Sequence, residues 1–190
     1  MKIIAVYLST RKGSVSEKIV DELTRGAEEA GAVVSRYKIG DSILGCRGCA
    51  ACVKAGKCVI QDPLAPYWDD LQDADMVIVG AANFMGNVQG QAWSFMNRHF
   101  SMADTSRGRE NRVIRFPAGK RIMGVFAQGQ PDKGFYREVY RNYLRIFANY
   151  GFIPQEPMVV HATDLTEERL AGCRAEGRAW VEQMKESTEN

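Results

Sequence analysis

The chain has 190 residues, 45% of them hydrophobic and 25% charged, a composition that argues against disorder, collagen-like repetition and a coiled-coil rod. A net charge of +2 is too small for a dedicated nucleic-acid binder, and no apolar stretch approaches the roughly 18 to 20 residues of a membrane-spanning helix. The start, MKIIAVYLSTRKG, lacks a basic n-region and a small-residue cleavage site, so no signal peptide is expected and the expected location is cytoplasmic.

In chain order, short apolar runs at Ile3 to Leu8, Met76 to Ala82, Arg121 to Ala127 and Pro157 to Ala162, with a more polar one at Val33 to Ile39, predict five strands. Their Val/Ile runs are continuous rather than alternating, which suits parallel strands covered on both faces. Helices are predicted between them. Ser14 to Ala30 sets Ile19, Val20, Leu23 and Ala27 on one stripe, with Gly31 as a stop. Asn87 to Phe100, Gly134 to Tyr150 and Thr163 to Met184 follow, the last opening on an N-cap candidate and early acids. Tyr136, Tyr140, Tyr143 and Phe147 recur at helical spacing and predict a packed face. The strand–helix alternation predicts an α/β fold, a doubly wound five-stranded parallel sheet with helices on both faces, in a single domain over residues 1–190. Ligands in such sheets lie beyond the carboxyl ends of the strands, where strand order reverses. The loops to read are Ser9 to Ser16, Ala81 to Val88 and Gln128 to Lys133.

The first of these, LSTRKGSVSEK, places four hydroxyls and two cations just before a helix. Helix-start amides and the dipole favour an anion. Ser9, Thr10, Ser14 and Ser16 offer donors to phosphate oxygens, and Arg11 and Lys12 offer balancing charge. The loop is neither GxGxxG nor GxxxxGK[ST], so a monophosphate is a better match than a dinucleotide or a nucleoside triphosphate. A serine-capped polar turn is the competing reading. After the third strand, Ala81, Ala82, Asn83, Phe84, Met85 and Gly86 combine small residues, an aromatic and a thioether. Small residues let a flat ring approach the backbone, while a bland core role for Phe84 and Met85 competes. Gln128 and Gly129 occupy the corresponding place after the fourth strand.

These residues resemble a known family. LSTRKGSVSEKI is similar to the phosphate loop of flavodoxin-like NADPH-dependent FMN reductases, approximately GSPRKNGNTEKL, with Ser9, Arg11, Lys12 and Ser16 on the pattern, Thr10 in place of proline and Val15 in place of asparagine. GAANFMGNVQGQAWSFMNR is similar to the family's GSPVYFGSVSAQLKAFIDR through Gly80, Phe84, Gly86, Val88, Gln91, Phe95 and Arg98. The resemblance implies a flavodoxin-like fold, FMN held by Ser9 to Ser16 and by Ala81 to Gly86, and an oxidoreductase in which flavin does the chemistry without acid–base residues. It also implies NAD(P)H as a donor and a homodimer or homotetramer in which a neighbouring subunit completes the flavin site. An electron carrier fed by a ferredoxin-type protein, without a small-molecule substrate, and a non-redox metal-binding or regulatory module with an empty pocket are the rival readings.

Five cysteines in a chain that can bury roughly 70% of its unfolded surface are not needed as staples. Cys46, Cys49, Cys52 and Cys58 lie within thirteen residues, in a loop at about 44–62. Compact spacing on one glycine-bearing loop suits a [4Fe–4S] cluster, with Arg47, Lys54 and Lys57 balancing its charge. Zinc, a disulfide and free thiols stay open as alternatives. Iron-sulfur flavoproteins share this spacing, and so do FMN reductases with the form CxGCxxCxxxGxC; a cluster that passes electrons to FMN is the expectation under the first resemblance. Arg107 to Arg121, with six cations and one acid, reads either as a solvated loop or as an attractor for the NADPH 2′-phosphate or an acidic partner. His99 and His161 form no motif, and Cys173 reads as a packed hydrophobe.

Overall fold

A computed structural model describes residues 1–189, apart from the side chains at 109 and 187–189. Strand β1 (Lys2–Tyr7) alternates strictly: Ile4, Val6 and Leu8 enter one core, Ile3, Ala5 and Tyr7 the other. Because both faces are covered, the run reads as continuously apolar. Helix α1 (Val15–Glu29) is capped by Ser14, whose Oγ accepts from the Glu17 amide at 3.2 Å. It is followed by β2 (Val33–Lys38), α2 (Ala51–Ala55), α3 (Tyr67–Asp70), β3 (Met76–Phe84), β4 (Asn87–Val88) and α4 (Gly90–Arg98). A short hairpin, β5 (Ala103–Asp104) with β6 (Val113–Ile114), precedes β7 (Arg121–Ala127), α5 (Arg137–Phe147), β8 (Ile153–Pro154), β9 (Met158–Val160) and α6 (Glu167–Glu189).

The main sheet runs β2-β1-β3-β7-β8 in parallel, β9 also pairing with β7 and β4 antiparallel to β3. The five parallel positions are those expected, but the fifth is split: β8 pairs with Arg121 and Ile122, and β9 with Val125 to Ala127. Pro157 stands in the break, where a residue without an N–H costs the ladder least. Helices α1 and α6 cover one face around Ile19, Leu23, Cys173 and Val181. Helices α3, α4 and α5 cover the other around Trp68, Phe95, Tyr140, Tyr143 and Phe147.

Several boundaries differ from the sequence reading. Ala81 to Val88 is a hairpin, not a loop: β3 runs on to Phe84 and turns back into β4 through Met85 and Gly86, with φ of +52° and +78°, the paired positive φ of a type I′ turn. The following helix therefore starts at Gly90, not Asn87, and closes in a 3₁₀ turn over His99–Met102. The tyrosine-bearing helix starts at Arg137, because the Asp132 carboxylate accepts the Gly134 amide and makes residues 132–134 a turn. The expected strand 157–162 ends at Val160, and the last helix starts at Glu167, after a 3₁₀ turn at Ala162–Asp164. Among the described residues no helix is long and apolar enough to cross a membrane.

Candidate functional site

The chain leaves β1 for α1 and later enters β3 on the other side of β1, so strand order reverses between β1 and β3, the place where open α/β sheets bind ligands. Register aligns the carboxyl ends: Tyr7 faces Gly80, and Ala82 faces Ala127. The three candidate segments thus share one edge of the sheet. Two side chains knit them together. Gln89, almost fully buried, donates from Nε2 to the Leu8 carbonyl and accepts the Ala82 amide at 2.7 Å on Oε1. Tyr140 accepts from Asn83 Nδ2 at 2.9 Å and donates to Gln128 Oε1 at 2.9 Å. Burial pushes the Tyr140 phenol up to about 12, so it stays a donor.

In the first loop, Ser9, Thr10, Arg11 and Lys12 lie at the surface, and Ser14 and Ser16 are buried with their hydroxyls 3.3 Å apart. The Gly13 amide donates to Glu17 at 2.7 Å, and Glu17 also receives Lys38 at 2.7 Å. Burial pushes the Glu17 carboxyl up, but Lys38 and the Gly13 amide outweigh it and hold it below the usual carboxylate range. A cavity of about 310 Å³ opens here beside Tyr7, Ser9, Thr10, Lys12 and Lys38. The loop's position depends on Gly40 after β2, where a Cβ would lie 2.2 Å from the Ser9 carbonyl oxygen.

At the hairpin, Ala81 is buried and Ala82 half-buried; Phe84 and Met85 project into solvent. Asn83 is committed to the turn, its Oδ1 accepting the Gly86 amide at 3.1 Å. Gln128 is committed too: besides Tyr140, its Nε2 donates to the Gln130 and Asp132 carbonyls at 2.7 and 2.8 Å. Its side chain is therefore a brace for the third loop, not a free ligand donor, while Gly129 is exposed beside it.

The cysteine loop rises from β2 at the same edge. Cys46, Cys49, Cys52 and Cys58 surround a cavity of about 280 Å³, completed by Arg98 and Ser101 among others. Gly48, Ala50 and Gly56 bend the loop with φ of +65°, +55° and +79°; for Ala50 this is a strained conformation. Burial pushes the Cys52 thiol up, and Cys58, Cys46 and Cys49 push it further the same way. Among the described residues no three His, Cys, Asp or Glu side chains converge on one point as a metal ion needs. The donor set around the cavity is four thiols, the set that both a tetrahedral zinc site and an iron–sulfur cluster use.

The basic segment is not simply a solvated loop. Arg115 donates to the Cys52 and Val53 carbonyls at 3.0 and 2.6 Å and pairs with Asp104 at 3.3 Å. Lys120 is buried and caps the Gln72 and Ala74 carbonyls at 3.0 and 2.8 Å. Side-chain statements about Arg109 fall outside the described residues. Gln89, Tyr140 and Gly40 were not singled out as site residues from sequence. A glutamine before a helix, a tyrosine in a packed stripe and a glycine after a strand carry no distinguishing signal until their partners from other elements are in place.

Comparison with known proteins gives the same edge a context. The profile described as NADPH-dependent FMN reductase matches residues 1–134. The iron-sulfur flavoprotein of Methanosarcina thermophila is 30% identical over 114 residues, 60% of each chain. That of Archaeoglobus fulgidus is 29% identical over 102 residues, 52% of this chain and 48% of the other. The matches thus span only about half to three fifths of those relatives. Among solved structures, NAD(P)H:quinone oxidoreductase from Methanothermobacter marburgensis superposes with a TM-score of 0.72 at 12% identity, covering 95% of this chain and 98% of that one; at that identity the likeness is one of fold.

Proposed function

The chain belongs to the NADPH-dependent FMN reductase family, and from that premise we propose that it binds FMN on the carboxyl edge of its sheet and passes electrons from NAD(P)H, or from a ferredoxin-type protein, to a second acceptor. The observation that carries this reading is the junction of β1, β3 and β7, where Gln89 and Tyr140 lock three loops into one surface at the point of strand reversal. Ser9, Thr10, Ser14 and Ser16 supply hydroxyls to the phosphate, the α1 amino end supplies amides, and Arg11 and Lys12 supply charge. Ala81 packs beneath the ring and Ala82 offers only a small side chain beside it, Asn83 and Gly86 shape the turn, Phe84 and Met85 offer apolar cover, and Gly129 presents bare backbone. FMN supplies the redox chemistry when bound; the protein's part is to bind, orient and exclude water.

The test is flavin release from the purified chain on denaturation, followed by steady-state NADPH oxidation. About one FMN per chain is expected, and a protein that neither carries nor takes up FMN overturns the proposal. NADPH turnover without a protein donor marks a reductase; turnover only with reduced ferredoxin marks a carrier.

A second reading concerns the cysteine loop: Cys46, Cys49, Cys52 and Cys58 hold a [4Fe–4S] cluster. It is supported by the cavity the four thiols ring and by the naming of the relatives as iron-sulfur flavoproteins. The cluster would supply one-electron chemistry; the chain supplies thiolates, bent backbone and the cation of Arg47 on the cavity wall. Iron and inorganic sulfide in anaerobically prepared protein test it, with zinc alone, a disulfide or free thiols as the contrary results.

A further inference from the structure

The cysteine cavity is walled on one side by α4 and the 3₁₀ turn that follows, and two polar groups there are not explained by the fold alone. The first is Arg98, completely buried in an ion pair with Asp62, itself 3% exposed, at 2.8 Å. Its Nη atoms are absorbed by Asp62 and by the Leu44 and Ile60 carbonyls at 3.1 and 3.4 Å. The cationic charge is thereby matched and the loop wrapped around a fixed guanidinium plane. The remaining donor, Nε–H, points at Cys58 Sγ from 2.9 Å. The second group is Ser101, about 1% exposed, a residue of the cavity wall whose Oγ is buried and has no hydrogen-bond partner. A buried hydroxyl without a partner is costly and uncommon, so its partner is to be sought in what fills the cavity.

Resting on the cluster reading above, we propose that Arg98 Nε–H and Ser101 Oγ–H are hydrogen-bond donors to the sulfurs of the metal–sulfur group, Arg98 through Cys58 Sγ, and that together they raise its reduction potential. Reduction by one electron from a chemical reductant adds one unit of negative charge without making or breaking a bond. Donors aimed at sulfur stabilise that added charge, and hydrogen bonding to the sulfurs is among the levers that set such potentials. Both are positioning and tuning residues; neither ligates the metal.

The experiment is an EPR-monitored redox titration, with dithionite as reductant, of the anaerobic full-length protein and of Ser101→Ala, Ser101→Thr and Arg98→Lys, after iron and sulfide have been counted. In Ser101→Ala and in Arg98→Lys the oxidised-to-reduced ratio at fixed potential is expected to rise about tenfold, a fall in midpoint of about 59 mV. Ser101→Thr keeps the hydroxyl and is expected to keep the wild-type midpoint. Equal midpoints in wild type, in Ser101→Ala and in Arg98→Lys, which keeps the cation for Asp62 but has no second N–H arm to aim at Cys58, overturn the proposal. Should Arg98→Lys fail to fold, ENDOR of the reduced cluster in Ser101→Ala decides for Arg98: an exchangeable proton coupling that disappears in D₂O supports it, and its absence overturns that half. Wild-type protein that holds no iron or sulfide removes the cluster reading itself, a result read before any midpoint is measured.

Discussion

Single residues set the candidate site by what they leave out as much as by what they offer. Gly40 lines the cavity beside the first loop, and any side chain there would drive into the Ser9 backbone at 2.2 Å. Gly40→Ala is therefore expected to displace the Ser9 to Ser16 loop and weaken FMN binding at least tenfold, about 1.4 kcal/mol, in a fluorescence titration; unchanged affinity would show that the loop tolerates the shift. His99 is a different case. It sits inside an aromatic box with Phe95, Phe147 and Trp68, donates from Nδ1 to the Phe95 carbonyl at 2.9 Å and accepts from the Tyr67 hydroxyl on Nε2 at 2.8 Å. Burial lowers its pKa from 6.5 to about 3, with the Arg98 charge in support. The unfolded chain takes up a proton below pH 6.5 and the folded chain does not, so folding stability is fully present above 6.5 and declines as pH falls toward 3. The expected slope is roughly 1 kcal/mol per pH unit, visible in urea unfolding between pH 6.5 and 5.5, above the ordinary carboxylate range. His99→Phe should lower stability overall but flatten that slope.

At the scale of elements, the contact between α1 and α6 rests on two glycines. A Cβ at Gly26 would lie 1.8 Å from the Arg174 carbonyl oxygen, and one at Gly177 1.9 Å from that of Leu23, so each helix needs a bare position opposite the other's backbone. Gly177→Ala improves helix propensity in isolation but overpacks the crossing, and is expected to lower stability by about 1–3 kcal/mol, several degrees of Tm by calorimetry. A gain in Tm would show that the helices can separate without loss. Helix α4 is the element that joins the two candidate centres: Gln89 at its start ties Leu8 to Ala82, and Arg98 at its end meets Cys58. Nine steps of 1.5 Å put those ends about 13 Å apart. The hairpin β5–β6 works in parallel, its Arg115 holding the Cys52 and Val53 carbonyls.

For the whole molecule, three of the large exposed apolar side chains lie at the hairpin and the loop before α5, where the proposed flavin ring lies. Phe84, Met85 and Phe135 are all largely exposed, and Gly86 passes against Tyr136, with 3.3 Å from a would-be Cβ to the ring. Apolar side chains held at the tip of a rigid turn suit a contact with another chain, and self-association as a dimer or tetramer is the proposal they support. Phe84→Ser with Met85→Ser is expected to lower the mass seen by light scattering without unfolding the chain; a monomeric wild type contradicts the proposal. The amino-acid sequence by itself determined the α/β alternation, the parallel sheet, the phosphate-loop candidates and the four-cysteine cluster, because those depend on local periodicity and spacing. It also marked Cys173 as a packed residue and the stripe Tyr136, Tyr140, Tyr143 and Phe147 as core or subunit contact; all are buried except Tyr136, which is half-buried. Only the tertiary structure decided that Ala81 to Val88 is a hairpin, that Gln128 is a brace, that Arg115 and Lys120 are committed to backbone carbonyls, and that Arg98 meets Cys58. Each of those depends on a partner from a distant element, 40 residues away for Arg98 and Cys58. Side-chain chemistry alone does not say which of several possible partners a folded chain will bring within reach.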